Sequence, residues 1–468
     1  MSRMPPLNRA ALAPGRRPLV DPRDLQPRIV HFGLGAFHRA HQAVYTEAAA
    51  ARSGEPWGIV AVAPRSSVAE MRAQDCLYSV TDLAPGAGAT RVVGAVVEAL
   101  QMRPDTARLT QLLSSPEVTT VTLTVTEKGY SRLPGGGLDV DAVAADLRGA
   151  DPVTVIGRLS AGLADRFRAG GAPIDVVSCD NTAGNGTALA RVVREFVEHS
   201  TWPDRAAVLD WLGTSVGFPD TIVDRIVPAT TAADRDAVET ALGVRDEMAV
   251  VGEPYRQWVL QDAFVAPRPR WELDGALVVP DVAPYQLMKL RLLNGSHSAM
   301  AYLGAAAGCT TVAEVLATEW GEPLVRAFGA ETAPTLPDAG LDAKRYVDDL
   351  VARFRNPAMH HLLRQIGSDG SLKIPERWFP ALREATGPTP VLELAIAGWV
   401  HATSPGATHG MTDPAMPALN RCWTTSDPQA LVAALLRTAG ADDLAERADL
   451  TASVAARLPA LRAGRIEL

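Results

Sequence analysis

A short apolar run followed at once by two closely spaced glycines and a helical pattern constrains the fold of this chain more than any other stretch. The run is Ile29-Val30-His31-Phe32, the glycines are Gly33 and Gly35, and the helical periodicity continues through Ala50. This order predicts a β-strand, a glycine turn and a helix. In such a unit the glycines let the backbone approach a pyrophosphate, and the helix N-terminus supplies N–H donors. The sequence therefore predicts an α/β fold, and the turn is a candidate dinucleotide site, although His38 stands where the usual motif has its third glycine.

At 468 residues the chain is too long for one hydrophobic core of ordinary size, so its length indicates two domains. From Pro284 onward the pattern changes to long helices with few β-rich runs. We therefore expect a Rossmann-like dinucleotide-binding domain over 1–280 and a mainly α-helical substrate domain over 281–468. The predicted strands after the first cover 57–63, 91–97 and 118–126, and the predicted helices cover 153–170, 187–200, 204–214, 298–308, 311–330, 343–366 and 388–403.

Composition excludes several classes of protein. Hydrophobic residues make up 47% of the chain, but no apolar run approaches the ~18 residues that a membrane span needs. A net charge of −8 and the lack of a basic stripe give no support to nucleic-acid binding. The four cysteines lack the spacing of a metal site or a disulfide scaffold, and the N-terminus lacks an apolar signal segment. We expect a cytoplasmic, metal-independent protein with a small-molecule partner, acting as a monomer or small homo-oligomer.

Three groups with complementary proton chemistry lie close together in the stretch KLRLLNGSH. On an α-helix that turns by about 100° per residue, Lys289, Asn294 and His297 fall within about 140° of one another. A desolvated lysine is able to act as a general base near neutral pH, and an asparagine amide donates to an oxygen that gains negative charge. The alternative interpretation is a surface lysine followed by an asparagine that caps a helix.

The same stretch resembles the K-x4-N-G-S-H motif of the mannitol dehydrogenase family, the polyol-specific long-chain dehydrogenases. The segment GLGAFHRAHQ resembles the nucleotide-binding motif G-x-G-x-F-H-R-x-H-Q of that family, and the resemblance covers residues 28–403. It implies that Lys289 is the catalytic base, Asn294 an oxyanion donor and His297 a substrate-orienting residue. By the same resemblance, the nucleotide-binding residues in the glycine turn are Gly33, Gly35, Phe37 and His38.

Two further motifs follow predicted strands of the first domain. The segment S-C-D-N-x3-N-G is similar to a family motif in which Asn181 is the second oxyanion donor, although Asn and Asp are also common in ordinary turns. The segment T-E-K-G-Y contains Glu127, which the family places beside the nicotinamide, although an exposed charge at a turn is the simpler interpretation. His38 and His41 have a spacing that also suits a metal ion, but no third ligand is nearby and a packing pair is favoured.

The resemblance implies NAD as the cofactor, but one position departs from the usual pattern. NAD enzymes commonly place an acidic residue after the second strand, where it binds the adenosine ribose. Here Arg65 stands near that place and Glu70 is the first acid. Because an arginine suits a 2'-phosphate equally well, NADP is not excluded.

More detailed similarities to particular members of the family bear on the choice of substrate. T-E-K-G-Y and the stretches around 224–230 and 253–258 are more similar to the uronate-reducing members of the family than to its mannitol dehydrogenases. A uronate carboxylate requires a cation in the pocket. We expect reduction of D-fructuronate to D-mannonate, with fructose and mannitol as the alternative pair. The alternative of another class is a nucleotide-binding sensor without catalysis. The candidate cations are Lys128, Arg256, Lys373 and Arg377, whereas Arg291 is expected to point away from the pocket.

Overall fold

The computed structural model describes residues 4–84, 88–149, 151–407 and 409–468, except for the side chain of Glu127. The chain divides into two compact units, Met1–Val282 and Ala283–Leu468. Within the described residues no helix is long and apolar enough to cross a membrane. The four cysteines are free thiols.

A six-stranded parallel sheet forms the centre of unit 1, with the strand order β5-β2-β1-β6-β7-β8. The order reverses between β1 and β6, which is the switch point where open α/β sheets bind ligands. Two three-stranded sheets, ordered β10-β3-β4 and β12-β11-β9, complete the unit. The strands are β1 Gln26–Phe32, β2 Trp57–Ala63, β3 Tyr78–Asp82, β4 Ala89–Val93, β5 Val96–Gln101, β6 Thr120–Leu123, β7 Ile174–Ser178, β8 Val216–Gly217, β9 Thr221–Asp224, β10 Val250–Gly252, β11 Gln257–Gln261 and β12 Leu277–Val279.

Apolar clusters cover both faces of the central sheet, as a parallel sheet requires. Val30 and Phe32 of β1 point into one cluster, and Ile29 points into the other. The apolar faces of the helices between the strands supply the remaining side chains of these clusters. The helices of unit 1 are α1 Ala36–Ala40, α2 Gln42–Ser53, α3 Ala69–Ala73, α4 Thr106–Ser114, α5 Ala144–Arg148, α6 Val155–Arg168, α7 Asn185–His199, α8 Arg205–Ser215 and α9 Ala232–Leu242.

One predicted strand of unit 1 was wrong. The apolar run over 91–97 is divided between β4 and β5, which belong to different sheets. The chain turns at Gly94, where a Cβ would lie 2.9 Å from the side chains of Pro18 and Pro22. The Pro-rich N-terminal arm packs against this turn. Its close approach separates β4 from β5, which the apolar pattern of the sequence predicted as one strand.

Unit 2 is built almost entirely of helices, and the predicted fold class is confirmed. Pro357, in a 3-10 turn, interrupts the helix predicted over 343–366 because proline cannot continue a helical hydrogen-bond pattern. The helices are α10 Ala283–Met288, α11 Gly295–Ala306, α12 Val312–Leu316, α13 Gly321–Thr332, α14 Ala343–Phe354, α15 Leu363–Gly367, α16 Gly370–Arg377, α17 Phe379–Glu384, α18 Pro390–Ala402, α19 Met416–Cys422, α20 Pro428–Thr438, α21 Asp442–Ala445 and α22 Ala448–Arg462.

The core of unit 2 is organised around α11 and α18, whose side chains are buried on nearly every face. At Gly398 a Cβ would lie 2.9 Å from the side chain of Leu303, so the two helices approach as closely as a glycine permits. Aliphatic and aromatic side chains from the surrounding helices enclose this pair. This packing holds α11, which follows the KLRLLN segment directly, in a fixed position within the unit.

Stacked histidines lie beneath the glycine turn of unit 1. The rings of His31 and His38 are parallel within 13° and 3.4 Å apart, and neither side chain is exposed. Burial lowers the pKa of His31 to about 3. Burial, followed by the charges of His31, Arg39 and His41, lowers the pKa of His38 well below its usual value. Both rings are therefore neutral at physiological pH.

This burial makes unit 1 sensitive to acid. Below about pH 6.5 the unfolded chain binds a proton at residue 38 that the folded chain does not. The free energy of unfolding therefore decreases as the pH is lowered, by about 1.4 kcal/mol per pH unit for each such proton. We expect His38→Leu to reduce the slope of the unfolding free energy against pH between pH 4 and 6 by up to about 1.4 kcal/mol per pH unit, which corresponds to one proton. Denaturant titrations at several pH values measure this slope.

The control is His199→Leu, which replaces a histidine that is exposed in the folded chain as it is in the unfolded chain. This variant is expected to keep the slope of the original protein. An unchanged slope in His38→Leu would contradict the assignment of His38 as a buried neutral ring.

Candidate functional site

The turn after β1 has the geometry that a bound dinucleotide requires. Gly33 has a φ of +115°, and a Cβ there would lie 2.0 Å from the carbonyl oxygen of Thr124, so no other residue fits. Gly35 is exposed, and the nearest heavy atom to a Cβ built on it, the Gly33 carbonyl oxygen, is 4.0 Å away. The turn thus leaves an open surface at the switch point of the sheet, which fits the approach of a pyrophosphate.

The two aromatic residues of the turn have different positions. Phe37 is half-buried and stacks on His41, with ring centroids 5.0 Å apart. His38 is fully buried, which argues against a direct contact of its side chain with a nucleotide. His41 Nε2 donates to the Gln257 carbonyl at 2.9 Å. Both histidines are packing residues, and the described residues contain no group of three side chains suited to a metal ion.

The ends of β6 and β7 bring together a tyrosine and a carboxylate. The Tyr130 hydroxyl donates to the carboxylate of Asp180 and lies 2.8 Å from the Ser178 hydroxyl. Burial raises the pKa of Asp180 to about 6, against the opposing effect of hydrogen bonds from the Tyr130 hydroxyl and the Val125 N–H. Burial also keeps the Tyr130 hydroxyl protonated by raising its pKa. Tyr130 and Ser178 border a cavity of about 310 Å³ at this edge of the sheet.

Asn181 follows Asp180 directly in the chain and is exposed. The turn that carries it is fastened by Asn185, whose amide donates to the carbonyls of Ser178 at 3.2 Å and Asp180 at 2.9 Å. Lys128, in the 3-10 turn Glu127–Tyr130, is exposed at the same edge. The predicted role of Glu127 concerns a side chain outside the described part of the structure.

A π-helical segment, Lys289–Asn294, joins α10 to α11 in unit 2. The Gly295 N–H donates to the Leu290 carbonyl, five residues earlier, instead of four as in an α-helix. The α-helical angles assumed from the sequence are therefore wrong in detail, because the wider turn rotates Asn294 relative to Lys289. Such π-helical turns are frequent at functional sites. Lys289 and Asn294 are both half-buried.

His297 lies one turn after this segment, beside Phe354 and His361. Its ring is 4.5 Å from Phe354 and 5.5 Å from His361, measured between centroids. Burial, and then the charges of His361, Arg353 and Arg377, lower the pKa of His297 well below its usual value. Its Nε2 is buried and has no hydrogen-bond partner among the described residues. A neutral imidazole with an unused nitrogen is suited to hydrogen-bond a substrate hydroxyl.

Helix α16 carries two cations, and one of them, Arg377, contacts the same segment. Arg377 donates to the Asn294 carbonyl at 3.3 Å and to the Ser298 hydroxyl at 2.7 Å. Lys373 donates to the Ser368 carbonyl at 2.6 Å. Burial lowers the pKa of both side chains, and within the described chain neither forms an ion pair with a carboxylate. Their positive charges are therefore not neutralised by direct contact.

The other two arginines considered from the sequence are neutralised. Arg256 is 2.6 Å from the buried carboxylate of Asp274, and its guanidinium lies 4.2 Å from the centroid of the Tyr45 ring. This pairing argues against Arg256 as a substrate-binding cation. Arg291 is buried and paired with Glu384 at 2.7 Å, in agreement with the expectation that it is not a pocket residue.

Tyr130 and Asp180 both lie within motifs identified in the sequence, but no role was predicted for either. The available signal was an acidic residue directly before Asn181 and a tyrosine at the end of T-E-K-G-Y. Their pairing across about 50 residues depends on the neighbouring positions of β6 and β7 in the sheet. Periodicity does not reveal that neighbourhood.

Comparison with known proteins gives matches along the whole chain. Residues 27–273 match the mannitol dehydrogenase Rossmann domain, and residues 281–462 match the mannitol dehydrogenase C-terminal domain. An uncharacterised oxidoreductase of Escherichia coli, YdfI, is 38% identical over 93% of both chains. The D-mannonate oxidoreductase of the same organism is 36% identical over 95% of both chains.

A solved structure is also similar, that of Pseudomonas fluorescens mannitol 2-dehydrogenase in a ternary complex with NAD and D-mannitol. It is 32% identical, with a TM-score of 0.76, and the match covers 97% of this chain and 96% of that chain.

The Tyr130–Asp180 hydrogen bond leads to a prediction about stability. Above about pH 6 the folded carboxyl is ionised, and a hydrogen bond to a charged acceptor is stronger than one to a neutral acceptor. We expect Tyr130→Phe to destabilise unit 1 by about 1–3 kcal/mol at pH 8 and by less at pH 5. Denaturant unfolding at both pH values measures the difference. In the Asp180→Asn background the cost of Tyr130→Phe should be equal at the two pH values, and a persisting difference would refute the pairing.

Proposed function

Because the chain belongs to the mannitol dehydrogenase family, and is therefore a dehydrogenase of polyols or sugar acids, we propose that it interconverts D-fructuronate and D-mannonate with NAD(H). The observation that carries the choice of a sugar acid is the pair of cations on α16, Lys373 and Arg377. Neither has a carboxylate partner among the described residues, and Arg377 contacts Asn294 in the segment that begins with Lys289. The mannitol and fructose pair is the second candidate, favoured by the similarity to a mannitol 2-dehydrogenase.

The glycine turn of unit 1 supports NAD as the cofactor. Gly33 permits the sharp turn, and exposed Gly35 leaves room for a pyrophosphate at the switch point. The similar mannitol 2-dehydrogenase was solved with NAD. When bound, the nicotinamide ring supplies the acceptor or donor of hydride.

In the oxidation direction Lys289 accepts the proton of the substrate hydroxyl as a general base. Asn294 and Asn181 donate amide N–H groups to the oxygen as negative charge develops on it. His297 is neutral because burial lowers its pKa, so it orients the substrate by hydrogen bonding without adding a charge. In the reduction direction Lys289 returns the proton to the same oxygen.

The carboxylate of a sugar acid is the part of the substrate that a polyol lacks. An arginine binds a carboxylate through parallel N–H donors, and a lysine binds it as a point charge. Arg377 retains donors beyond those used on Asn294 and Ser298, because a guanidinium has five N–H groups. Since burial penalises both uncompensated cations, an anionic ligand would relieve that penalty. Exposed Lys128 of unit 1 remains a further candidate for the same role.

Replacing the proposed base tests the mechanism. We expect Lys289→Ala to lower kcat by about 10²–10⁴, the usual contribution of a general base, and to leave the Kd of NADH within about twofold. Steady-state kinetics and fluorescence titration with NADH measure the two quantities. The matched control is Lys344→Ala, which removes an exposed lysine of α14 and should keep full activity. Turnover near the original rate in Lys289→Ala would refute the role of Lys289.

The choice of substrate is tested by comparing kcat/KM for the two pairs of candidate sugars. We expect kcat/KM for D-fructuronate with NADH to exceed that for D-fructose by at least about tenfold, because a charged carboxylate gains hydrogen bonds that a hydroxymethyl group does not. D-mannonate should exceed D-mannitol in the same way with NAD. A tenfold preference for fructose and mannitol would show that the sugar acid is not the substrate.

A variant of α16 separates carboxylate binding from general catalysis. Lys373→Gln should raise KM for D-fructuronate while changing kcat/KM for D-fructose little, because only the acid loses an ionic contact. Lys344→Gln is the control for a change of net charge. An equal effect of Lys373→Gln on both substrates would assign Lys373 a structural role.

A further inference from the structure

A cavity of about 400 Å³ lies where β2 and β5 end, on the side of β1 away from the switch point. In a parallel α/β sheet this edge receives the adenosine half of a dinucleotide, beside the end of the second strand. One wall is apolar and the rim carries two guanidinium groups. The apolar wall contains Met102, Pro104 and Val153, and the rim contains Arg65 and Arg103.

Hydrogen bonds hold the two rim segments together. The Met102 N–H donates to the Ala63 carbonyl at 3.1 Å, and the Gln101 side chain donates to the Ser66 carbonyl at 3.3 Å. These bonds tie the turn after β2 to the turn after β5. Arg65 and Arg103 therefore belong to one rim although they are far apart in sequence.

The charge of this rim is uncompensated. Neither Arg65 nor Arg103 forms an ion pair with any carboxylate that the structure describes, and the described lining of the cavity contains no acidic residue. The nearby Asp105 is already engaged, since it accepts hydrogen bonds from Arg72 at 2.6 Å and from the Gln101 N–H at 2.7 Å. The place where an NAD-selective site presents a carboxylate to the ribose 2'-hydroxyl thus carries positive charge instead.

We propose that Arg65 and Arg103 form a binding site for the 2'-phosphate of NADP(H), so that the enzyme binds NADPH at least as well as NADH. A phosphate is bound by the forked N–H groups of arginine, and two guanidinium groups suit its charge. An acid at this position repels a 2'-phosphate, and none is present in the part of the cavity lining that the structure describes. The apolar wall packs against the adenine ring. This inference rests on the dinucleotide site of the proposed function and is independent of the sugar substrate.

Binding measurements on the full-length protein test the proposal without catalysis. The probes are 5'-AMP and adenosine 2',5'-bisphosphate, which differ only in the 2'-phosphate, together with NADH and NADPH. We expect the bisphosphate to bind about tenfold or more tightly than 5'-AMP, because charge-assisted hydrogen bonds to phosphate are gained. Isothermal titration calorimetry gives these constants. Bisphosphate binding equal to or weaker than 5'-AMP, with NADH still bound, would overturn the proposal.

Variants assign the effect to the two arginines. Arg65→Gln and Arg103→Gln should each weaken bisphosphate binding by about tenfold and change 5'-AMP binding by less than about twofold. Arg194→Gln, at an exposed position of α7, is the control and should change neither constant. A double variant that keeps the preference for the bisphosphate would also overturn the proposal. Failure to bind NADH and NADPH altogether would instead refute the dinucleotide site of the proposed function.

Discussion

Unit 1 depends on the close approach of the turn after β1 to the end of β6. The Thr124 carbonyl occupies the place where a side chain of residue 33 would begin, so glycine is required there. His31 fixes the same contact from within the sheet, since its ring lies 2.9 Å from the Gly33 carbonyl and 2.7 Å from the Thr122 hydroxyl. Because β1 and β6 are the strands between which the sheet order reverses, this contact shapes the crevice for a nucleotide.

Two sets of arginines and lysines differ in whether a carboxylate neutralises their charge. Arg225, Arg256 and Arg291 are largely buried and paired with Asp82, Asp274 and Glu384, so their charges stabilise the fold. Lys373 and Arg377 in unit 2, and Arg65 and Arg103 in unit 1, have neutral partners or none among the described residues. Lys373 and Arg377 are partly buried, so an anionic ligand would offset the cost of burying their charges. Arg65 and Arg103 are exposed and offer hydrogen-bond donors beside a cavity. These four cations are the positions at which we expect carboxylate and phosphate groups. The buried Arg166, which donates only to backbone carbonyls, shows that a cation without a carboxylate partner also serves a structural role.

Burial sets the pKa of one group in each unit. His297 is uncharged because its ring is withdrawn from water, and Asp180 has a raised pKa of about 6 for the same reason. The hydrogen bond from Tyr130 counteracts that rise and orients the carboxylate before Asn181. In the π-helical segment the additional residue per turn alters the spacing between Lys289 and Asn294. Packing thus sets both the charge and the direction of these side chains.

The sequence by itself determined the first strand, the glycine turn, the helical character after Pro284 and the family, because these rest on local spacing and on residues that are contiguous in the chain. It did not reveal the division of 91–97 into two strands, the π-helical turn, the burial of His38 or the pairing of Arg256 with Asp274. Only the tertiary structure decided these, because each depends on packing or hydrogen bonding that hydrophobic periodicity does not encode. Whether a cation is paired or unpaired is set by which side chains the fold brings within hydrogen-bond distance, and periodicity carries no information about that.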